Sequence, residues 1–113
     1  MHELGITQEV LSLVLKEAEA AKARRINRIN LVVGEASGVV DDSVQLCFEL
    51  LSGDTIAREA ELSFKHIPLK MRCRACGHAY SPDGLYTSCP ACQKWDAEIT
   101  EGREFYIDSI EVD

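Results

Sequence analysis

The sequence has no apolar stretch approaching the ~20 residues that a bilayer-spanning helix needs. Its start, Met1-His2-Glu3-Leu4, lacks the basic and apolar regions of a secretory signal, so a cytoplasmic location is expected. A glycine-rich phosphate loop, a G-x-S-x-G elbow and an H-E-x-x-H helix are all missing, which argues against an enzyme built on any of them. Repeats and low-complexity tracts are missing too. With 113 residues there is no room for two full-sized domains. The 46% hydrophobic and 27% charged content is that of a chain that folds rather than one that stays disordered.

Cysteine, by contrast, is plentiful: there are five. In a reducing compartment closely paired cysteines serve more often as metal ligands than as disulfides, and an odd number leaves one over in either case. A chain of this length buries only about two thirds of its unfolded surface. A structural metal would supplement so modest a core.

Apolar residues recur at helical spacing from Leu4 to about Ala23, with Ile6, Val10, Val14, Ala18 and Ala21 on one face. Lys22, Arg24 and Arg25 follow where cations complement the negative end of a helix dipole. Ile29, Leu31 and Val33 then alternate up to Gly34, as in a half-buried strand. Asp42 with Gln45 has the form of a capping box, opening a second helix striped by Val44, Cys47, Phe48 and Leu51 and stopped by Gly53. Glu61 to Ile67 alternates again before Pro68. Strand, helix and strand in that order fit a βαβ unit.

From Leu69 to about Lys94 aliphatic residues thin out, and Ser81-Pro82-Asp83-Gly84 marks a turn midway. Strand formers return between Arg103 and Val112, with a change of phase between Ile107 and Ile110 that predicts a bulge near Asp108 and Ser109. The expected fold is therefore α+β: a small mixed β-sheet with two helices, plus an inserted zinc-ribbon-like mini-domain built on four cysteines. Its parts are expected at 1–68 with 96–113, and at 69–95. Between Lys65 and Lys94 the cations Lys65, Lys70, Arg72, Arg74 and Lys94 face only Asp83, a net of +4 that leaves −11 for the rest of a −7 chain.

Cys73-Arg74-Ala75-Cys76-Gly77 and Cys89-Pro90-Ala91-Cys92 are two C-x-x-C units. Each can turn back so that both sulfurs point to one centre, and Gly77 suits the left-handed position of such a turn. Two turns make a tetrahedron of thiolates, which selects Zn²⁺ or, less often, iron. Closed four-sulfur zinc is structural, since it keeps no position for water or substrate. A dithiol redox role would need only one pair at a helix N-terminus. Cys47, on the apolar stripe, reads as a small buried hydrophobe. His66 and His78 at the edges of the segment read as surface or packing residues.

The first three residues have a chemistry of their own. If Met1 keeps a free amine, its nitrogen and the His2 amide nitrogen form a five-membered chelate ring, which His2 Nδ1 extends by a six-membered one. Glu3, Asp41 or Asp42 could add oxygen. Tetragonal nitrogen and oxygen sets suit Ni²⁺ and Cu²⁺ rather than zinc. Because the amine and the imidazole must lose protons, binding should weaken on acidification.

Met-His-Glu at the start, a helix after it, Gly34-Glu35 following a strand, and the two C-x-x-C units together resemble the HypA family of hydrogenase nickel-incorporation metallochaperones over essentially the whole chain. The resemblance implies a nickel metallochaperone, not an enzyme. It implies Ni(II) as cargo at Met1, His2 and Glu3, and structural Zn(II) at Cys73, Cys76, Cys89 and Cys92. The partners it implies are a maturation GTPase, the [NiFe]-hydrogenase large subunit and, in some organisms, urease maturation proteins, with no nucleic acid and no membrane. Some relatives carry a histidine or an extended loop beside the second cysteine pair, whereas no histidine follows Cys92 here. The alternatives are a zinc-ribbon docking module without nickel and a nucleic-acid-binding ribbon. The +4 segment with Tyr80, Tyr86 and Trp95 favours the latter, and the −11 remainder opposes it.

Overall fold

A computed structural model describes residues 2–82 and 88–113. In chain order it contains α1 (His2–Ala20), β1 (Ile26–Gly34), α2 (Asp41–Leu51), β2 (Glu61–Ile67), β3 (Lys70–Cys73), β4 (Ala79–Tyr80), β5 (Ala97–Glu101) and β6 (Phe105–Val112). The strands form two three-stranded sheets, ordered β2-β1-β6 and β4-β3-β5. The chain divides into two compact units. One comprises the segment up to Val32 with Val39–Lys65 and Tyr106–Asp113, and the other Val33–Gly38 with His66–Phe105. The architecture is the expected α+β, with two helices and small sheets.

In the first unit α1 packs on α2. The seam of α1 is Thr7, Val10, Leu11, Val14 and Ala18, all buried, while Ile6 is only half-buried. Thr7 is the unexpected member. Its hydroxyl donates to the Glu3 carbonyl at 2.6 Å, so the polar atom is satisfied within the helix and the side chain can be buried. The helix ends where Lys22 adopts φ 56° and the Ala23 N–H bonds back to the Ala18 carbonyl at 2.9 Å. This is the left-handed closing turn usually given to glycine.

α2 departs from expectation at both ends. Its N-cap is Val40, extended and without a side-chain cap bond, so Asp41 and Asp42 lie in the first turn and act on the helix dipole rather than as a capping box. At the other end the buried Ser52 donates its N–H to the Phe48 carbonyl, and Thr55 Oγ1 donates to the Ser52 carbonyl at 2.7 Å. Gly53 is not in the left-handed region, so it is not what stops the helix. Val44 and Phe48 carry the buried stripe; Cys47 is half-buried.

Hydrogen bonds give the strand directions. Arg28 reaches Glu61 at 3.2 Å near the start of β1, and the Glu35 N–H donates to the Ile67 carbonyl at 2.9 Å just beyond its end, so β1 and β2 run the same way with α2 as the crossover. Arg24 N–H donates to the Asp113 carbonyl and Gly34 N–H to the Glu104 carbonyl, which makes β6 antiparallel to β1. The first sheet is thus mixed. Along β6, Ile107 and Ile110 are half-buried while Asp108 and Ser109 between them are exposed, the change of phase seen in the sequence.

In the second unit β3 pairs antiparallel with both β4 and β5. β5 therefore belongs to this sheet, and only β6 returns to the first. The turn after β1 is fastened here by backbone. Ala36 N–H donates to the Gly102 carbonyl at 2.6 Å, and the Glu35 carboxylate accepts the Leu69 N–H at 3.1 Å. Gly102, at φ +113°, sits against Leu69, where a Cβ would come within 2.8 Å of its Cα. A Cβ on Gly34 would strike the Gly102 carbonyl and lie 2.8 Å from the Arg103 nitrogen. Backbone cannot yield as a side-chain end does. Gly34→Ala is expected to lower stability by about 1–3 kcal/mol, read as a fall in the urea midpoint with the far-ultraviolet dichroism preserved.

Candidate metal centre

Two turns of the same construction hold the cysteines. In the first, Cys73 donates its N–H to the His78 carbonyl at 2.9 Å and accepts from the Gly77 N–H at 2.8 Å. In the second, Cys89 donates to the Lys94 carbonyl at 2.9 Å and accepts from the Gln93 N–H at 2.7 Å. Each turn needs one left-handed residue: Gly77 at φ 79° in the first and Gln93 at φ 60° in the second. The glycine was legible in the sequence; its glutamine counterpart carried no such signal, because non-glycine residues take that conformation only at some cost.

The four Sγ atoms lie within 4.8 Å of one another, with Cys73 to Cys92 at 3.6 Å and Cys76 to Cys89 at 3.7 Å. A tetrahedron with metal–sulfur bonds of about 2.3 Å has sulfur–sulfur edges of about 3.8 Å. The cluster therefore fits zinc in both donor chemistry and size. One cysteine of each pair is buried, Cys73 and Cys89, while Cys76 is exposed and Cys92 half-buried.

Without a cation the sulfurs divide a proton set unequally. The backbone N–H of Cys76 is the chief cause that brings Cys73 down to about 7, against some desolvation and with help from the other sulfurs. For Cys76 the backbone N–H of His78 is the largest single influence and lowers it, but burial and the neighbouring sulfurs outweigh it and leave the thiol pushed up to about 12. Cys92 is likewise raised, despite a lowering bond from the Lys94 backbone. Tyr80, close by, is raised first by burial and then by the cysteines. One thiolate forms easily and the next are opposed, which is the behaviour of a set built for a divalent cation.

Around this centre three of the five cations expected to form a basic face are paired. Arg72 binds Glu98 through Nε at 3.1 Å, Arg74 binds Asp96 at 3.2 Å, and Lys70 lies 3.5 Å from Glu101. The Arg72 hydrogen bond and charge, with Arg74 beside them, hold the Glu98 carboxyl below its usual range. Asp96, Glu98 and Glu101 thus offset three of the five cations behind the +4 seen along the sequence and leave +1. The two parts of the chain are not electrostatic opposites. Trp95 is exposed, but Tyr80 is half-buried and stacks on His78 at 6.1 Å, so among the described residues the aromatics form no row of stacking platforms.

Among the described residues the four cysteines are the group of three or more potential ligands that the fold gathers. His66 and His78 are exposed and stand outside it. Of the N-terminal set, Met1 lies outside the described residues, His2 opens α1, and Glu3 is half-buried in its first turn. Asp41 and Asp42 open α2. Asp83, Gly84 and Tyr86 lie outside the described residues. Sequence reasoning missed the pairing acids Asp96, Glu98 and Glu101, which the three acids between Asp96 and Glu101, just past the second cysteine pair, could have suggested.

A small α+β protein whose fold gathers four thiols into one cluster has the build of a metal-handling protein. Residues 1–112 match the family described as HypA, hydrogenase/urease nickel incorporation, metallochaperone. A hydrogenase maturation factor HypA of Dehalococcoides mccartyi strain CBDB1 is 57% identical over 113 residues, covering 100% of this chain and 95% of the relative. One from Caldanaerobacter subterraneus subsp. tengcongensis is 36% identical, with 100% of each chain covered. The solution structure of the Ni metallochaperone HypA from Helicobacter pylori superposes with a TM-score of 0.69 at 24% identity, over 99% of this chain and 97% of that one. This chain belongs to the HypA family of nickel-incorporation metallochaperones; it is a maturation factor, not an enzyme.

Stripped of metal, the protein should show a first thiolate step near pH 7 in its ultraviolet absorbance, and Cys73→Ser should remove it. The linkage has a definite sign. A thiol lowered from 9.0 to about 7 stabilises the folded form above its unfolded value and loses that contribution as pH falls through 7. The urea midpoint of the metal-free protein should therefore fall on acidification across that window, and an unchanged midpoint would contradict the assignment.

Proposed function

We propose that the chain carries Ni(II) at Met1, His2 and Glu3 and delivers it for maturation of a [NiFe]-hydrogenase, with Zn(II) held permanently by Cys73, Cys76, Cys89 and Cys92. The observation that carries this reading is the mutual approach of the four sulfurs, joined to membership of a nickel-incorporation family. Four thiolates around one ion leave no open position, so cargo that must leave is held elsewhere. The nitrogen-rich N-terminus is the other donor set the sequence offers.

α1 beginning at His2 supports the reading. The first amides of a helix have no acceptor within it, so the His2 amide can lose its proton to a metal without breaking a helical bond. With the Met1 amine free, amine, amide and imidazole nitrogens supply three corners of a plane, and Glu3, Asp41 or Asp42 completes it. Delivery is then ligand exchange, in which docking brings further ligands near and nickel moves to the stronger set. The receivers are the maturation GTPase and the hydrogenase large subunit in the cytoplasm, and urease maturation proteins where the organism has them. In this division the nickel part is the unit that contains α1 and β6, and the zinc part is the unit that contains the four cysteines and β5, so the boundary expected at 95/96 lies after β5 instead.

A zinc-bearing docking module without nickel is separated from this by metal titration in the mass spectrometer, using tag-free protein and a copy with an N-terminal extension. One retained zinc in both and one nickel in the tag-free form alone is expected; equal nickel in both, or none in either, overturns the N-terminal site. His2→Ala should lose nickel delivery while keeping zinc and fold, whereas Cys73→Ser should lose zinc and unsettle the second unit. Hydrogenase maturation by His2→Ala at wild-type level without added nickel would refute the carrier role of His2.

A further inference from the structure

The first sheet ends at β6, and among the described residues no strand pairs with its outer side. Its eight residues include no lysine and no proline, the residues that commonly blunt a free edge. Beside it, Leu13 and Val14 of α1 stand across from Ile107 and Ile110, walling a groove of about 490 Å³ with Lys16, Glu17, Asp108 and Ser109. Leu13 is 49% exposed and Tyr106 50%, so apolar surface flanks the open edge. A strand laid along that edge would place alternate side chains over the groove while its backbone satisfies the outward N–H and carbonyl groups of β6.

The charge around the groove selects the occupant. Glu111 is 3.9 Å from Arg28, and Asp113 is bonded to Arg25 at 3.3 Å. Glu17 and Asp108 make no ion pair among the described residues, and Lys16 is the one cation lining the groove. A second copy of this chain would bring the same acids, and its net charge of −7, to the same edge. Like charges opposed across a strand pair are destabilising, and opposite ones stabilise it.

We propose that the open edge of β6 and the groove between α1 and β6 receive an extended segment of a partner protein in which aliphatic and basic residues alternate, added to the sheet as a fourth strand. Aliphatic side chains meet Leu13, Ile107 and Ile110 on the groove side, and the basic ones, which alternate to the other face of the added strand, run beside the acids of β6. The surface uses no residue of the cysteine centre or of the N-terminal nickel proposal, and it survives the failure of either.

The probe is an acetylated, amidated peptide alternating valine and lysine over the length of β6, added to zinc-loaded full-length protein labelled with nitrogen-15. Shift changes and slowed amide exchange are expected at Tyr106–Val112 and around Leu13, and binding should weaken as salt is raised. Leu13→Glu and Asp108→Lys, both at exposed positions, should each weaken it by about tenfold with dichroism and zinc content unchanged. Absence of saturable binding would overturn the proposal. So would equal binding of the valine–glutamate counterpart, or protection of β6 amides that grows with protein concentration without peptide, which would put a second copy on the edge.

Discussion

Four thiols held within 4.8 Å of one another either stay largely protonated or gather around a cation. The second unit has little else at its centre: among its described residues the buried apolar side chains beyond Cys73 and Cys89 are Val33, Leu69 and Met71. Two short turns and a three-stranded sheet cannot bury much more, and small folds of this kind use sulfur–metal bonds where larger ones use aliphatic packing. Backbone N–H groups facing the cysteines favour the thiolate at Cys73, while burial and the neighbouring sulfurs oppose it at Cys76 and Cys92 until a cation is there to balance the charge. A metal bound by these sulfurs would therefore be linked to folding of this unit.

Backbone approach does comparable work where the turn after β1 enters the same unit. Gly34 and Gly102 are required by contact between main chains, and the Glu35 carboxylate holds the Leu69 N–H rather than facing a ligand. The Gly34-Glu35 pair thus has a structural reason of its own. The arginines beside the cysteines are likewise explained locally, because Arg72 and Arg74 meet acids of the adjoining strand region instead of forming a face for phosphate.

Both helices, the strands of the first sheet and the clustering of the four cysteines were legible because each leaves a periodic or spaced signal over several residues. Val10, Val14 and Ala18 recur at helical spacing, Ile29, Leu31 and Val33 alternate, and C-x-x-C twice at short range has few other uses. What escaped lies in features without such a signal. Thr7 is buried through a bond to its own helix, Val40 caps α2 where an aspartate pattern pointed to Asp42, and Gln93 takes a left-handed turn that glycine would have announced. β4 has two residues and β5 alternates acids with few large apolar groups, so neither reads as a strand until β3 is there to pair with them. Charge was misread for the same reason: a running sum along the chain takes no account of which strands lie side by side.

Under the proposed function, holding two metals for opposite purposes in one short chain requires donor sets that do not compete. Thiolates bind zinc and nickel alike, so a sulfur site with an open position would trap the cargo it should release. Closing that site with all four cysteines, and leaving Cys47 on the apolar stripe of α2, removes the strong soft ligands from exchange. Nitrogen and oxygen donors at a chain end remain, and these lose affinity when protonated or when a partner offers more ligands. On the proposed reading, zinc therefore does more than hold the second unit together: by occupying the sulfurs it keeps nickel on the donors from which it can be passed on.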